Sequence, residues 1–95
     1  MMIEITAISL FKGIVTIEAI DVSEENLQKM ERMRDDGFEK QVNLVFDTHD
    51  PEAQTYLYQW LKRQRSTKGC KTWGTALHAV VGTHVTISQK YRSWE

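Results

Sequence analysis

A single α+β domain is the fold class this sequence predicts, and three observations carry it. The chain has 95 residues and a mass of 11.1 kDa, which suits one domain with one modest core. Four short stretches alternate apolar and polar residues or are rich in β-branched ones, and between them lie segments with helix-start signals. The expected order is β-β-α-β-α-α-β, with a four-stranded, mainly antiparallel sheet and the helices packed on one face. Residues 1–95 form one unit, with no internal repeat and no linker.

Residues 2–9 read as a strand, with Ile3, Ile5 and Ala7 on one side and Glu4 and Thr6 on the other. Phe11-Lys12-Gly13 supplies a turn. The β-branched stretch 14–20 is a second strand, paired with the first as a hairpin. Ser23 then opens a helix as an N-cap, with Glu24 and Glu25 at the positive end of its dipole. Val22 and Leu27 flank the cap as a staple, and Asp35-Asp36-Gly37 ends the helix.

Residues 40–46 form a third strand, in which Val42, Leu44 and Phe46 alternate with Gln41 and Asn43. Asp50 caps a second helix and Pro51 occupies its first position, where the missing amide costs nothing. This helix is expected to run to about Arg65, with Ala53, Tyr56, Leu57, Trp60 and Leu61 at apolar spacings of three and four. A basic loop, 66–71, precedes a short helix over 73–81 that Gly82 ends. Thr83, Val85 and Ile87 mark the last strand. The polar tail, 89–95, is expected to fray.

The net charge of −1 conceals a strong polarity. Residues 1–54 hold twelve of the thirteen acids and five of the twelve bases, a net −7. Residues 55–95 hold Lys62, Arg63, Arg65, Lys68, Lys71, Lys90 and Arg92 against Glu95 alone, a net +6. Every Trp and Tyr also lies in this second part. Such asymmetry points towards a polyanionic partner, although a solvated patchy surface produces the same pattern.

The richest stretch is 56–73. Tyr58, Lys62 and Arg65 stand at i, i+4 and i+7, turned away from Ala53, Leu57 and Leu61. Lys68 and Lys71 flank Gly69, whose size admits a close phosphate. Cations neutralise phosphates and aromatic faces stack on bases, so Tyr58, Lys62, Arg63, Arg65, Lys68, Lys71 and Trp73 are the candidate nucleic-acid-binding residues. The loop amides and the hydroxyls of Ser66 and Thr67 are further candidate phosphate contacts. The plainer account is that the helix dipole favours Arg63 and Arg65, while Tyr56, Trp60 and Trp73 belong to the core. No RNP aromatic signature, GxxG clamp or zinc-finger ligand set is present.

No catalytic kit is evident. His49, His78 and His84 lack metal-ligand spacing, and no metal or other cofactor is expected. Asp47, His49 and Asp50 cluster after a strand and define a minor alternative, a small hydrolase, although caps and turns use the same residues. Cys70, between Lys68 and Lys71, has basic neighbours that favour its thiolate but no evident base. One cysteine makes no internal disulfide. No stretch has the roughly 20 apolar residues of a membrane span. The start of the chain lacks the basic residues of a signal peptide. The expected location is therefore cytoplasmic, with a reduced thiol and no membrane partner.

The functional expectation is a small non-catalytic module that contacts nucleic acid or a nucleic-acid-processing complex through residues 58–73. The alternative is a protein-interaction or inhibitor module, of the kind carried by mobile elements. It would act through the acidic face around Glu24, Glu31, Asp35 and Glu39, through a sheet edge, or by self-assembly.

Overall fold

A computed structural model describes residues 1–23 and 41–93. Four strands form one antiparallel sheet: β1 (Met2–Phe11), β2 (Ile14–Asp21), β3 (Gln41–Asp47) and β4 (His84–Thr86), in the spatial order β3-β2-β1-β4. Two helices follow β3, α1 (Pro51–Arg63) and α2 (Trp73–Ala79). The α+β class, the hairpin of the first two strands and the helical segments after residue 50 are as the pattern predicts. Ser23, the expected cap, is described, and its amide donates to the Asp21 carboxylate at 2.9 Å; the helix expected beyond it to Asp36, with Leu27 of its staple and the acidic residues it carries, lies outside the described residues.

The β1–β2 hairpin turns through Lys12 and Gly13, both at positive φ (51° and 79°). Positive φ at both central residues is the mark of a type I′ turn, whose twist matches that of the strands it joins. Thr48 seals this tip from β3: its amide donates to the Gly13 carbonyl at 2.9 Å and its hydroxyl to the same oxygen at 2.5 Å.

The alternation expected in β1 fails after Ile5. A bulge between Ile5 and Ala7 shifts the register, so that Ile8, not Ala7, pairs with buried Ile17. An extra residue in one strand sends every later side chain to the opposite face. The core face therefore carries Ile3, Ile5 and Ile8 on β1, Val15, Ile17 and Ala19 on β2, and Val42, Leu44 and Phe46 on β3. Leu57, Trp60 and Leu61 of α1 and Leu77 of α2 close the core.

Helix α1 starts as expected. The Asp50 carboxylate accepts from the Glu52 amide at 3.1 Å, and Pro51 occupies the first turn. It ends two residues early, at Arg63. The Gln64 side chain donates to the Trp60 carbonyl, and the Thr67 hydroxyl is 2.7 Å from the Leu61 carbonyl and 2.9 Å from that of Gln64. These bonds satisfy carbonyls that a helix end leaves unpaired. Arg65 consequently sits in a separate 3-10 turn, Arg65–Thr67. Helix α2 is capped by Thr72 and stops at Ala79, short of the expected residue 81. The last strand is only His84–Thr86, without Thr83 and Ile87.

The tail departs from expectation up to residue 93. Gln89–Tyr91 forms a 3-10 turn, Tyr91 packs on Phe46 and Tyr56, and Arg92 bridges to Leu44. The Ser93 amide donates to the Asn43 carbonyl at 2.7 Å. An aromatic trio and an unused strand edge hold what composition alone presents as a frayed end. Among the described residues, no helix is long and apolar enough to cross a membrane.

Candidate functional site

Tyr58 lies in the middle of α1, and Trp73 is the first residue of α2. Both are half-buried, and their rings meet edge-on, with centroids 3.8 Å apart and planes at 61°. The Tyr58 hydroxyl accepts from the Gln54 side chain at 3.2 Å. Leu57 and Leu61, on the neighbouring stripe of α1, are buried, and this fixes the direction in which Tyr58 points.

A cleft of about 280 Å³ opens on one side of this pair. Leu61 and Ala76 give it apolar surface, the exposed residues Lys62 and Lys71 line it, and Cys70 also contributes. A second cleft, of about 390 Å³, opens on the other side. It is lined by Leu10, Lys12, Val15 and Leu77, with Tyr58 and Trp73 again forming part of its wall. The two rings therefore form a partition between two clefts, each with at least one lysine.

Of the predicted site residues, the structure gathers Tyr58, Lys62, Lys71 and Trp73 around one cleft. Arg63 is separated from them. It lines a different groove with Tyr56, Trp60 and Ser88, because consecutive helical residues point about 100° apart. Arg65 leaves the expected i, i+4, i+7 face because the helix has ended. Arg65 and Lys68 are exposed beside the first cleft in sequence but do not line it.

The phosphate-binding role expected of the loop is also reduced. The amides of Thr67, Lys68 and Cys70 donate to the carbonyls of Gln64, Arg65 and Thr67, and the Thr67 hydroxyl closes α1. Gly69 is exposed at φ 83°, and a Cβ there would meet nothing within 4 Å. The positive φ is one reason for glycine at this turn, and the space beside it is open. Sequence reasoning missed Lys12. It lies on the hairpin tip, more than forty residues before Tyr58, and only the position of the tip across the second cleft from Tyr58 and Trp73 reveals it.

Trp60 and Tyr56, the other aromatic residues of α1, have structural duties. Trp60 is 2% exposed, and its indole nitrogen donates to the Thr86 carbonyl at 2.9 Å. Tyr56 stacks with Phe46, and its hydroxyl accepts from the Ser88 amide at 2.9 Å. Lys90 is engaged too: it pairs with Glu52 at the start of α1, and that hydrogen bond raises its pKa above the usual 10.5.

Asp47, His49 and Asp50 do come together in one loop, with turn geometry. The Asp47 carboxylate accepts from the His49 amide at 2.9 Å and lies 2.8 Å from Nδ1 of the His49 ring. The backbone bond first, and then the ring, hold the Asp47 carboxyl below its usual 3.8. The ring rests against Gly13, where a Cβ would come within 2.6 Å of its Cε1. Asp50 is occupied in capping α1. Among the described residues, no group of three His, Cys, Asp or Glu side chains is placed to hold a metal ion.

Comparison with models of protein families, with curated proteins and with solved structures finds no match for this chain.

Proposed function

We propose that this protein is a non-catalytic module that binds nucleic acid through the cationic aromatic surface built on Tyr58 and Trp73. The observation that carries the reading is that exposed Lys62 and Lys71 line the same cleft as this pair of rings. A cation neutralises a phosphate and releases its counterions, while an aromatic ring offers a surface to a base. Arg65 and Lys68, exposed on the adjoining turn, extend the positive surface. Arg63 adds charge from the neighbouring groove.

The test is fluorescence anisotropy with labelled single- and double-stranded oligonucleotides at low and physiological salt. The reading expects binding that weakens steeply as salt rises and that falls when Lys62 and Lys71 are both replaced by Ala. Absence of binding to every oligonucleotide at low salt overturns it.

A protein-interaction or inhibitor role is the second reading, and a specific observation favours it. Phe11 and Ile14 are paired on the outer sheet face and Val45 lies diagonally across from Ile14, at 71%, 40% and 39% exposure. Apolar side chains exposed together are a common feature of protein contact sites. The version of this reading that uses a sheet edge would use the side of β1 beyond the short β4, which pairs with β1 only over Met2–Glu4. Trp60 occupies a carbonyl on β4, and residues 92 and 93 lie along β3. A discrete protein complex formed without salt-sensitive binding to bare DNA or RNA would favour this second reading.

A further inference from the structure

The two clefts that share the Tyr58–Trp73 wall say more about the form of the ligand than the charge alone does. This step rests on the nucleic-acid reading. We infer that the site takes a single strand, with one unpaired base in the cleft between Lys62 and Lys71 and the backbone continuing across the aromatic wall towards Lys12.

Three features carry the inference. The first is size. A cleft of about 280 Å³ is slightly smaller than the roughly 300–1,000 Å³ of sites that enclose a drug-sized molecule, so it suits one ring system. The second is lining. Leu61 and Ala76 present apolar surface and the rings at 61° form a corner, a setting for a flat base and not for a phosphate. The third is the position of charge. Lys62 and Lys71 line one cleft, and Lys12, whose ammonium lies 5.3 Å from the centre of the exposed Phe11 ring, borders the other, so basic residues stand at both clefts that a strand would cross.

A duplex fits this arrangement poorly. Both faces of each of its bases are already stacked, and only groove edges and phosphates are offered to a protein. Half-buried rings reach a base face only after the base is unstacked, which a duplex resists and a single strand does not.

The experiment compares the intact protein's affinity for four labelled 12-mers at one salt concentration: dT12, rU12, a 12-base-pair duplex, and an abasic strand with the same number of phosphates. The expected result is binding to dT12 or rU12 at least about 10-fold tighter than to the duplex. Loss of the bases should weaken binding about 5- to 100-fold, the effect of one base–aromatic stack. The ratio of dT12 to rU12 separates DNA from RNA as the source of the strand.

Two variants locate the base and the path. Ala76→Met fills the first cleft without removing a ring or a charge. It should weaken dT12 binding and leave binding of the abasic strand unchanged. Lys12→Ala should weaken dT12 binding several-fold, whereas Lys90→Ala, paired with Glu52 at the far end of α1, should not. Equal affinity for dT12 and the abasic strand overturns the inference and leaves simple polyanion binding standing. So does an Ala76→Met protein that binds dT12 as the wild type does. Failure of all four strands to bind overturns both readings.

Discussion

Trp73 meets Tyr58 edge-on across the gap between the two helices, with 3.8 Å between ring centroids. The pair joins two elements that a basic loop separates in sequence. It also sets where Lys62 and Lys71 stand relative to a flat surface. Replacing Lys62 and Lys71 with Ala should therefore reduce both affinity and its salt dependence. The slope of log K against log salt should fall by roughly 1.4 for a single strand, about 0.7 for each phosphate that is no longer neutralised. Both side chains are exposed, so stability should change by no more than about 0.5 kcal/mol. Salt titrations of the two proteins, with a thermal melt of each, check this.

Gly13 couples the hairpin tip to the loop after β3. Gly13→Ala forces a side chain into positive φ and against the His49 ring, which must move away. The expected loss is about 1–2 kcal/mol, of which roughly 1 kcal/mol is the backbone cost. In a His49→Ala background the backbone part and the 3.1 Å contact with the Thr48 hydroxyl should remain, and the part owed to the ring should vanish. Urea denaturation of the four proteins in this cycle measures the difference.

Trp60→Phe removes the donor to the Thr86 carbonyl and leaves a space beneath the sheet. The destabilisation should be about 2 kcal/mol from the bond and the void together. For a domain of this size that is a fall of roughly 10 °C in Tm. Calorimetry checks it, and oligonucleotide affinity measured well below the melting range should stay the same.

The acid limb of stability should carry a signature of Asp47. Its carboxyl titrates below 3.8 in the folded chain because the His49 amide and ring favour the charged form. A depressed folded pKa contributes stability that is present above about pH 3.8 and is lost as pH falls through the folded value. Asp47→Asn should therefore be less stable than the wild type at pH 6, and the difference should shrink by pH 3. A difference that stayed constant from pH 6 to pH 3 would show that the carboxylate's charge is not what stabilises the loop.

Much of the fold is legible in the residues themselves. Val42, Leu44 and Phe46 alternate and are buried on the predicted face. Asp50 and Pro51 announce the start of α1 and are found there. The bulge after Ile5 is different in kind, because period two carries no mark of an inserted residue. Only the pairing of Ile8 with Ile17 reveals it. The end of α1 is also hidden, since the Thr67 and Gln64 bonds that stop the helix depend on how the chain turns after it. For the site, Tyr58, Lys62, Lys71 and Trp73 follow from local composition. Separating Arg63 from them requires the true helix face, and adding Lys12 requires the placement of the hairpin tip beside the second cleft.

Both outer strands are finished by parts of the chain that come late in the sequence. The terminal amine of Met1 donates to the Ile87 carbonyl, and the Met1 carbonyl accepts from the Ile87 amide. The Ile5 amide donates to the Thr83 carbonyl, so the backbone of Thr86 faces away from β1. Trp60 occupies that outward carbonyl, while Arg92 and Ser93 lie against β3. An uncovered strand edge is a template for another copy. Residues 92 and 93 thus cover part of the β3 edge, and a chain shortened to residue 88 would be expected to clump on concentration or storage while keeping its secondary structure.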